Sequence, residues 1–294
     1  MTIYSNTERC DFHVVEYEDR DFPILLKEDY IRGRIKKLYY RGDLSVLKAP
    51  CAAVVGSRNI SSYGRWVGET LGKKLAENGV TVVSGLAKGM DSQAHRGCLK
   101  HGGKTVAVLG CGIDICYPSD NFHLKKDIEK TGLVISQFPP GTKPMKYNFP
   151  IRNEIIAALS RIVIVGEAGI NSGAGITAEL AAEQGKTVMA VPGNINTAFS
   201  LGTNKLIQEG AVMVANLDEV LREMGIEPAD LQFVHQNLGI TEMKIYKILS
   251  ERGEVTLDEL CEISCMAPSK VMGIITVLEM KGIVATSRGR IFLI

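Results

Sequence analysis

The sequence predicts an α/β protein, a doubly wound and mostly parallel sheet followed by a small C-terminal domain. Three observations carry this. Short apolar runs rich in Val and Ile recur at residues 52–56, 80–84, 105–109, 133–136, 161–165, 187–191 and 211–214. Such runs are expected of strands buried on both faces. Amphipathic stretches fill the intervals, as in 63–78, where Trp66, Val67, Leu71 and Leu75 are expected along one helix face. A polar break near 226–239 then separates this repeat from three helix patterns and a terminal hairpin.

The chain has 294 residues, 45% of them hydrophobic and 23% charged. That is enough apolar surface for one large core and a second, smaller one, and it argues against extensive disorder. No apolar run approaches a membrane span. Met1-Thr2-Ile3-Tyr4-Ser5 has neither a basic nor an apolar leader character. The seven cysteines include no C-x-x-C pair, which disfavours a disulfide framework and the common zinc spacings. A cytoplasmic location follows as an expectation. The net charge of +1 excludes a broad polycation, but residues 51–225 hold eighteen basic against fifteen acidic side chains. A local basic groove is therefore sought there.

Residues 1–50 are highly charged and do not join the strand–helix repeat cleanly. They are expected to form a small extension packed on the main domain, with a strand near 38–41. Residues 51–225 form the main domain, which is Rossmann-like. Gly79, Gly102, Gly132, Gly185 and Gly210 each end a helix pattern before a strand, where a left-handed C-cap is expected. Residues 226–239 are a linker. Residues 240–294 offer helices at 241–251, 257–263 and 268–281, with Thr256 as a cap and Pro268 near a helix start. Strands at 283–286 and 290–293 complete a winged helix.

The first strand–helix turn reads Gly56-Ser57-Arg58. At the C-terminal edge of a parallel sheet it offers close backbone approach and a bidentate cation to an anion. It is not the G-x-G-x-x-G fingerprint, and no acidic residue closes the second strand, so NAD or FAD is disfavoured. Further glycine-bearing loops follow on the same edge, including Gly85 with Lys88, Gly110-Cys111-Gly112, Ser172-Gly173-Ala174-Gly175 and Gly193-Asn194. Together they suggest a backbone-lined cradle for phosphates. The stretch 141–153 interleaves Lys143, Lys146 and Arg152 with Tyr147 and Phe149, and Asn153 follows. Cations that follow a backbone and aromatic faces that stack on bases make this the composition of a single-strand nucleic-acid site. A solvated loop with Phe149 plugging the core is the alternative.

No nucleophile–base set assembles. The five histidines are dispersed, Ser57 and Ser172 lack a base nearby in sequence, and no Walker motif occurs. No cofactor and no metal are expected. Glu179, after the Ser172–Gly175 loop, is the candidate acid if the chain is instead a nucleotide hydrolase. The winged helix is charge-balanced, and its third helix offers Ser269, Lys270 and Lys281 against Glu279. That favours a protein-interaction or weak DNA role over a sequence-specific duplex reader.

The motifs resemble those of the DNA-processing protein A (DprA/Smf) family. The residues that carry the resemblance are Gly56-Ser57-Arg58, Ser84-Gly85-Leu86-Ala87-Lys88-Gly89-Met90-Asp91, Gly110-Cys111-Gly112-Ile113-Asp114 with Tyr117-Pro118, Phe149-Pro150-Ile151-Arg152-Asn153, and Gly202-Thr203-Asn204. They stand in the family's order over roughly residues 22–225, and the tail looks like the family's winged helix. The resemblance implies a non-enzymatic protein that binds and protects single-stranded DNA, loads RecA onto it in natural transformation, and forms homodimers through the Rossmann-like domain; the interface is expected near 202–224. It implies phosphate contacts for Arg58 and Lys146 and a place at the bases for Phe149, with Arg152 and Asn153 in the pocket. Gln137 and the small Ser172-Gly173-Ala174-Gly175 loop depart from the family pattern. Two rivals stand beside this reading. One is a phosphoribohydrolase of the lysine-decarboxylase-like group, using Glu179. The other is a regulator whose sheet senses a nucleotide while its winged helix reads duplex.

Overall fold

Strands that are apolar on both faces need cover on both sides, and the larger unit of the chain provides it. The computed structural model describes residues 12–28, 31, 34–170, 172–228, 238–287 and 289–293. The chain divides into two units, Met1–Ile226 and Glu227–Ile294. Most of the expected linker, at 229–237, lies outside the described residues, as do Cys10 and His235.

Among the described residues, nine strands make one sheet. They are β1 His13–Glu16, β2 Lys37–Gly42, β3 Cys51–Val55, β4 Thr81–Ser84, β5 Thr105–Val108, β6 Leu133–Ser136, β7 Ile162–Val165, β8 Thr187–Ala190 and β9 Val212–Met213. The order is β1-β2-β6-β5-β4-β3-β7-β8-β9. From β6 through β9 all neighbours are parallel. The apolar runs thus become strands within a residue at either end, except 211–214, of which only Val212–Met213 pairs.

Side chains alternate between the sheet's two faces. Ala53, Val55, Val163 and Val165 share a core with α4 (Asn148–Ala158) and α5 (Gly173–Glu183). Ala52, Val54, Ile162 and Ile164 share the opposite core with α1 (Ser62–Glu77) and α2 (Met90–Lys100). The remaining α-helices among the described residues of this unit are α3 (Phe122–Thr131), α6 (Leu201–Gln208) and α7 (Asp218–Glu223). The chain runs outward from β3 to β6, then returns to lay β7 on the free edge of β3. This reversal makes the crevice beyond the C-termini of β3 and β7 the topological switch point, where open α/β sheets bind ligands.

The strand expected near 38–41 is β2, and through it the N-terminal segment joins the sheet more fully than its sequence pattern shows: β2 pairs antiparallel with β6, Tyr39 opposite Ser136, and β1 pairs antiparallel with β2. Its alternation is masked because β1 is an edge strand with only Val15 buried, the other three positions being exposed. Two other expectations are corrected. Trp66 does not share the buried face of α1 with Val67, Leu71 and Leu75; it is 56% exposed. The buried face of α1 is made by Gly64, Val67, Gly68, Leu71, Gly72 and Leu75, and at about 100° per residue Trp66 falls on the opposite side. Gly132 is not a left-handed cap, since its φ is −134°. It is glycine because a Cβ there would run into the Thr105 backbone.

The smaller unit packs α8 (Ile240–Arg252), α9 (Leu257–Ser264) and α10 (Pro268–Met280) around Ile245, Leu249, Leu260, Val271 and Leu278. Thr256 caps α9 as expected, its hydroxyl accepting from Glu259 N at 3.3 Å while Glu259 accepts from Thr256 N at 2.7 Å. Pro268 opens α10. The strands are β10 (Glu254–Thr256), β11 (Val284–Ser287) and β12 (Arg290–Leu293), ordered β10-β12-β11. β10 escaped sequence reading because three residues between two helices carry too little alternation. Among the described residues no single helix is long and apolar enough to cross a membrane.

Candidate functional site

The turn after β3 crosses the switch point. Ser57 N donates to Glu167 O at 2.7 Å, and Met90 N donates to Ser57 O at 3.1 Å, so the turn is stitched to the loop after β7 and to the start of α2. A Cβ on Gly56 would come within 2.8 Å of both Glu167 O and the Met90 side chain, and only glycine fits there. The Glu167 carboxylate accepts from Ser61 N at 2.9 Å and Ser61 Oγ at 2.6 Å, which fixes the approach to α1. Arg58 is left exposed on this crest.

Beside the crest lies a cavity of about 360 Å³. Its walls are Gly56, Ser57 and Arg58 from the first turn, Phe149, Arg152 and Asn153 from α4, and Ser172, Gly173 and Thr177 from the start of α5. A smaller neighbouring cavity of about 170 Å³ adds Gly85, Lys88, Tyr117 and Pro118. Phe149 stands in both walls, half-buried. Its ring centroid is 5.3 Å from the Arg58 guanidinium, 5.9 Å from that of Arg152 and 5.7 Å from the Tyr117 ring. Guanidinium groups over an aromatic face are attracted by the ring quadrupole.

Arg152 is built into the wall. It is 5% exposed, and its Nη1 donates to Val108 O at the end of β5, at 2.8 Å. A Cβ on Gly85 would overlap its guanidinium, so that glycine makes the room Arg152 occupies. Burial pulls the Arg152 guanidinium below its ordinary value, against the pull of Asp91, but an arginine starts so high that it stays charged. Asp91 is the counter-charge, and its carboxylate accepts from Gly85 N at 3.1 Å and Ala87 N at 3.3 Å. Burial pushes the Asp91 carboxyl up, opposed by Arg152 and by those amides. One turn along α2, burial and then the Arg152 charge bring His95 down to about 3. His95 is therefore neutral, and its Nδ1 is 2.6 Å from Thr105 Oγ1. That hydroxyl gives its proton to Val82 O, so Nδ1 is assigned as the donor.

Ten of the twelve expected site residues line these two cavities: Gly56, Ser57, Arg58, Phe149, Arg152, Asn153, Ser172 and Gly173 the larger, Gly85 and Lys88 the smaller. Lys146 and Asn194 do not. Lys146 is exposed on the turn before α4, and Asn194 is exposed on the loop after β8, where its carbonyl accepts from Ser200 Oγ at 3.0 Å. Arg152 is a wall residue, its guanidinium held by Val108 O and influenced by the Asp91 charge. Lys88 is ion-paired with Asp120, and both side chains are more than half exposed. Such a pair contributes little to stability and can be exchanged for a phosphate. Glu179 is exposed on α5 and lines neither cavity. Sequence reading missed Asp91 and Tyr117 as site residues, although both lie inside the quoted motifs; the signal was an acid one helical turn before His95 on the face of α2 that must pack on the sheet.

Buried Ser172 Oγ has no hydrogen-bond partner among the described residues. It stands at the N-terminus of α5, whose first amides and positive dipole end face the larger cavity together with Gly173 and Thr177. The arrangement joins anion acceptors to an aromatic face.

A doubly wound sheet with such a crevice at its switch point, followed in the chain by a winged helix, defines an α/β class equipped for anionic, base-bearing ligands. The chain belongs to the family of DNA recombination-mediator protein A: that family's model matches residues 13–225, and the DprA winged helix domain matches residues 236–290. It is 48% identical over 186 residues to the DNA processing protein DprA of Streptococcus pneumoniae, covering 63% of this chain and 66% of that protein. It is 38% identical over 249 residues to a putative DprA of Mycobacterium tuberculosis, covering 81% of this chain and 63% of that protein. The chain thus spans just under two thirds of the length of these relatives. The solved S. pneumoniae protein superposes with a TM-score of 0.69 at 44% identity, over 73% of this chain and 75% of that one. The DNA processing protein A of Helicobacter pylori, solved for its single-stranded DNA binding mode, gives a TM-score of 0.64 at 31% identity, over 73% of this chain and 95% of that one.

Proposed function

We propose that this chain binds single-stranded DNA across the Arg58–Phe149 crest, shelters it, and passes it to RecA during natural transformation. The observation that carries this reading is the Arg58 guanidinium over the Phe149 ring at the mouth of a cavity at the switch point. A base presented to Phe149 gains stacking, while Arg58 and the amides of α5 meet the backbone phosphates. Lys146 and Lys88, both exposed, extend the positive track. Backbone and stacking contacts carry little base information, so sequence preference is low. The site works by binding alone, with no chemical step assigned to it.

A homodimer through the sheet domain is part of this reading. Val212 and Met213 on the outermost strand β9 are 41% and 48% exposed, within the span 202–224. An exposed apolar edge strand favours pairing with another copy. A cytoplasmic location goes with RecA as partner.

Fluorescence anisotropy of a labelled mixed-sequence oligonucleotide, single-stranded and then duplex, across a salt series tests the binding. Tighter binding of the single strand is expected, and indifference to it removes the proposal. The rate of RecA filament growth on the strand, with and without this protein, tests the transfer.

A further inference from the structure

Trp66 is the chain's single tryptophan, and it stands outside the core. Tyr63 lies one turn before it on α1, and the two rings stack with centroids 6.0 Å apart and planes 24° from parallel. The Tyr63 hydroxyl donates to Pro192 O at 3.2 Å, so the pair is anchored to the loop after β8. Rings left about half exposed gain less for folding than buried ones, and their free faces are suited to recognition.

The surroundings select the partner. The first turn of α1 carries no acid. Arg65, next to Trp66 in the chain, is exposed, and its guanidinium donates to Ser62 Oγ at 2.8 Å. Glu69, the next acid along the helix, is engaged by Lys100 at 2.8 Å, and Glu167 is turned inward onto Ser61. The neighbouring positions Ser62, Arg65, Glu69 and Lys73 are polar, so along α1 the exposed apolar surface is confined to the two rings. Aromatic faces beside guanidinium groups, with carboxylates already neutralised, are what a single strand follows. The crest of Arg58 runs directly into Ser61 and α1.

We propose that Tyr63 and Trp66 form a second base-stacking platform, which receives the single strand where it leaves the Arg58–Phe149 cavity across the crest. This rests on the strand-binding reading above and deepens it. The platform lengthens the footprint beyond the cavity without adding sequence selectivity.

The lone tryptophan supplies its own probe. The full chain is titrated with a labelled oligothymidylate of roughly twenty nucleotides, longer than a single small binding site. Anisotropy and Trp66 emission are followed together, for the parent, Trp66→Phe and Trp66→Ala. Quenching of Trp66 in step with anisotropy is expected. A loss of about tenfold in affinity for Trp66→Ala, mostly restored by Trp66→Phe, is expected too, as one lost stack implies. Strand binding by anisotropy with unchanged Trp66 emission and unchanged Trp66→Ala affinity overturns the platform and leaves the proposed function standing. Absence of strand binding removes both. A Trp66 emission that shifts with protein concentration in the absence of DNA overturns the platform in favour of a contact between copies.

Discussion

The Arg58 guanidinium lies 5.3 Å from the centroid of the Phe149 ring, although the two side chains come from elements more than ninety positions apart. One is carried by the turn after β3, the other by the first turn of α4. Their meeting at the switch point sets a charge and a flat apolar face within reach of a single nucleotide.

These two groups should fail differently. Phe149→Leu keeps the volume and loses the ring, and should weaken single-strand binding by about 1–3 kcal/mol at every salt concentration. Arg58→Ala should also weaken it and lower the slope of log affinity against log salt by about one phosphate contact. Anisotropy titrations across a salt series separate the two. Equal slopes for Arg58→Ala and the parent would remove Arg58 from the phosphate track.

Gly85→Ala should damage the site without touching the ligand. The new methyl overlaps the Arg152 guanidinium and forces it off Val108 O. A cost of about 1–3 kcal/mol is expected from urea unfolding, as for overpacked cores. Strand affinity should fall as well, because Arg152 lies under Phe149. An unchanged urea midpoint would mean that Arg152 has another place to go.

Removing the carboxylate should cost as well. Asp91→Ala leaves the Gly85 and Ala87 amides without their acceptor and takes a nearby opposite charge from buried Arg152, and unmet buried polar groups cost about 1–3 kcal/mol. Urea unfolding measures this. A loss below 1 kcal/mol would show that another acceptor takes up the Gly85 and Ala87 amides and that Asp91 does not organise the loop.

Acid should destabilise the larger unit through His95. Its folded value is depressed to about 3, against about 6.5 for a free histidine. The stabilisation is therefore complete above pH 6.5 and is lost as pH falls toward 3, since the unfolded chain binds a proton that the folded one does not. The slope approaches 1.4 kcal/mol per pH unit for one proton. Asp91 acts in the opposite sense, because its raised folded value favours the protonated form in the folded state. The His95→Gln variant isolates the histidine: its unfolding free energy should fall less steeply than the parent's between pH 6 and pH 4.

The winged helix should respond to its cap alone. Thr256→Ala removes the hydroxyl that accepts from Glu259 N and should cost the smaller unit about 0.5–2 kcal/mol. In calorimetry the transition of residues 227–294 should move down while that of the larger unit stays in place. A shift of both would mean that the units unfold together.

The central strands were legible because their physics is local. A strand covered on both faces must be continuously apolar, and residues 133–136 read as a strand and are one. The cap at Thr256 and the proline opening α10 follow from backbone groups that any helix end leaves unpaired. Gly56-Ser57-Arg58 and Phe149 stood out because anion binding and stacking need those residue types. By contrast, β1 was obscured by the exposed positions of an edge, while β2 was read at 38–41, and Trp66 was assigned to the core because a helix pattern does not fix its own rotation to within one residue.

By itself the sequence determined the α/β alternation, the break before a second domain, and which loops hold cations, glycines and aromatics. Only the tertiary structure decided what those groups do to one another. It seated Arg152 in the space left by Gly85, gave Lys88 to Asp120, left Lys146 and Asn194 off the cavity wall, and turned Trp66 outward. The reason is range: helix and strand periodicity act over a few residues, whereas pairing and burial of a charge depend on which distant loops the strand order brings to one edge.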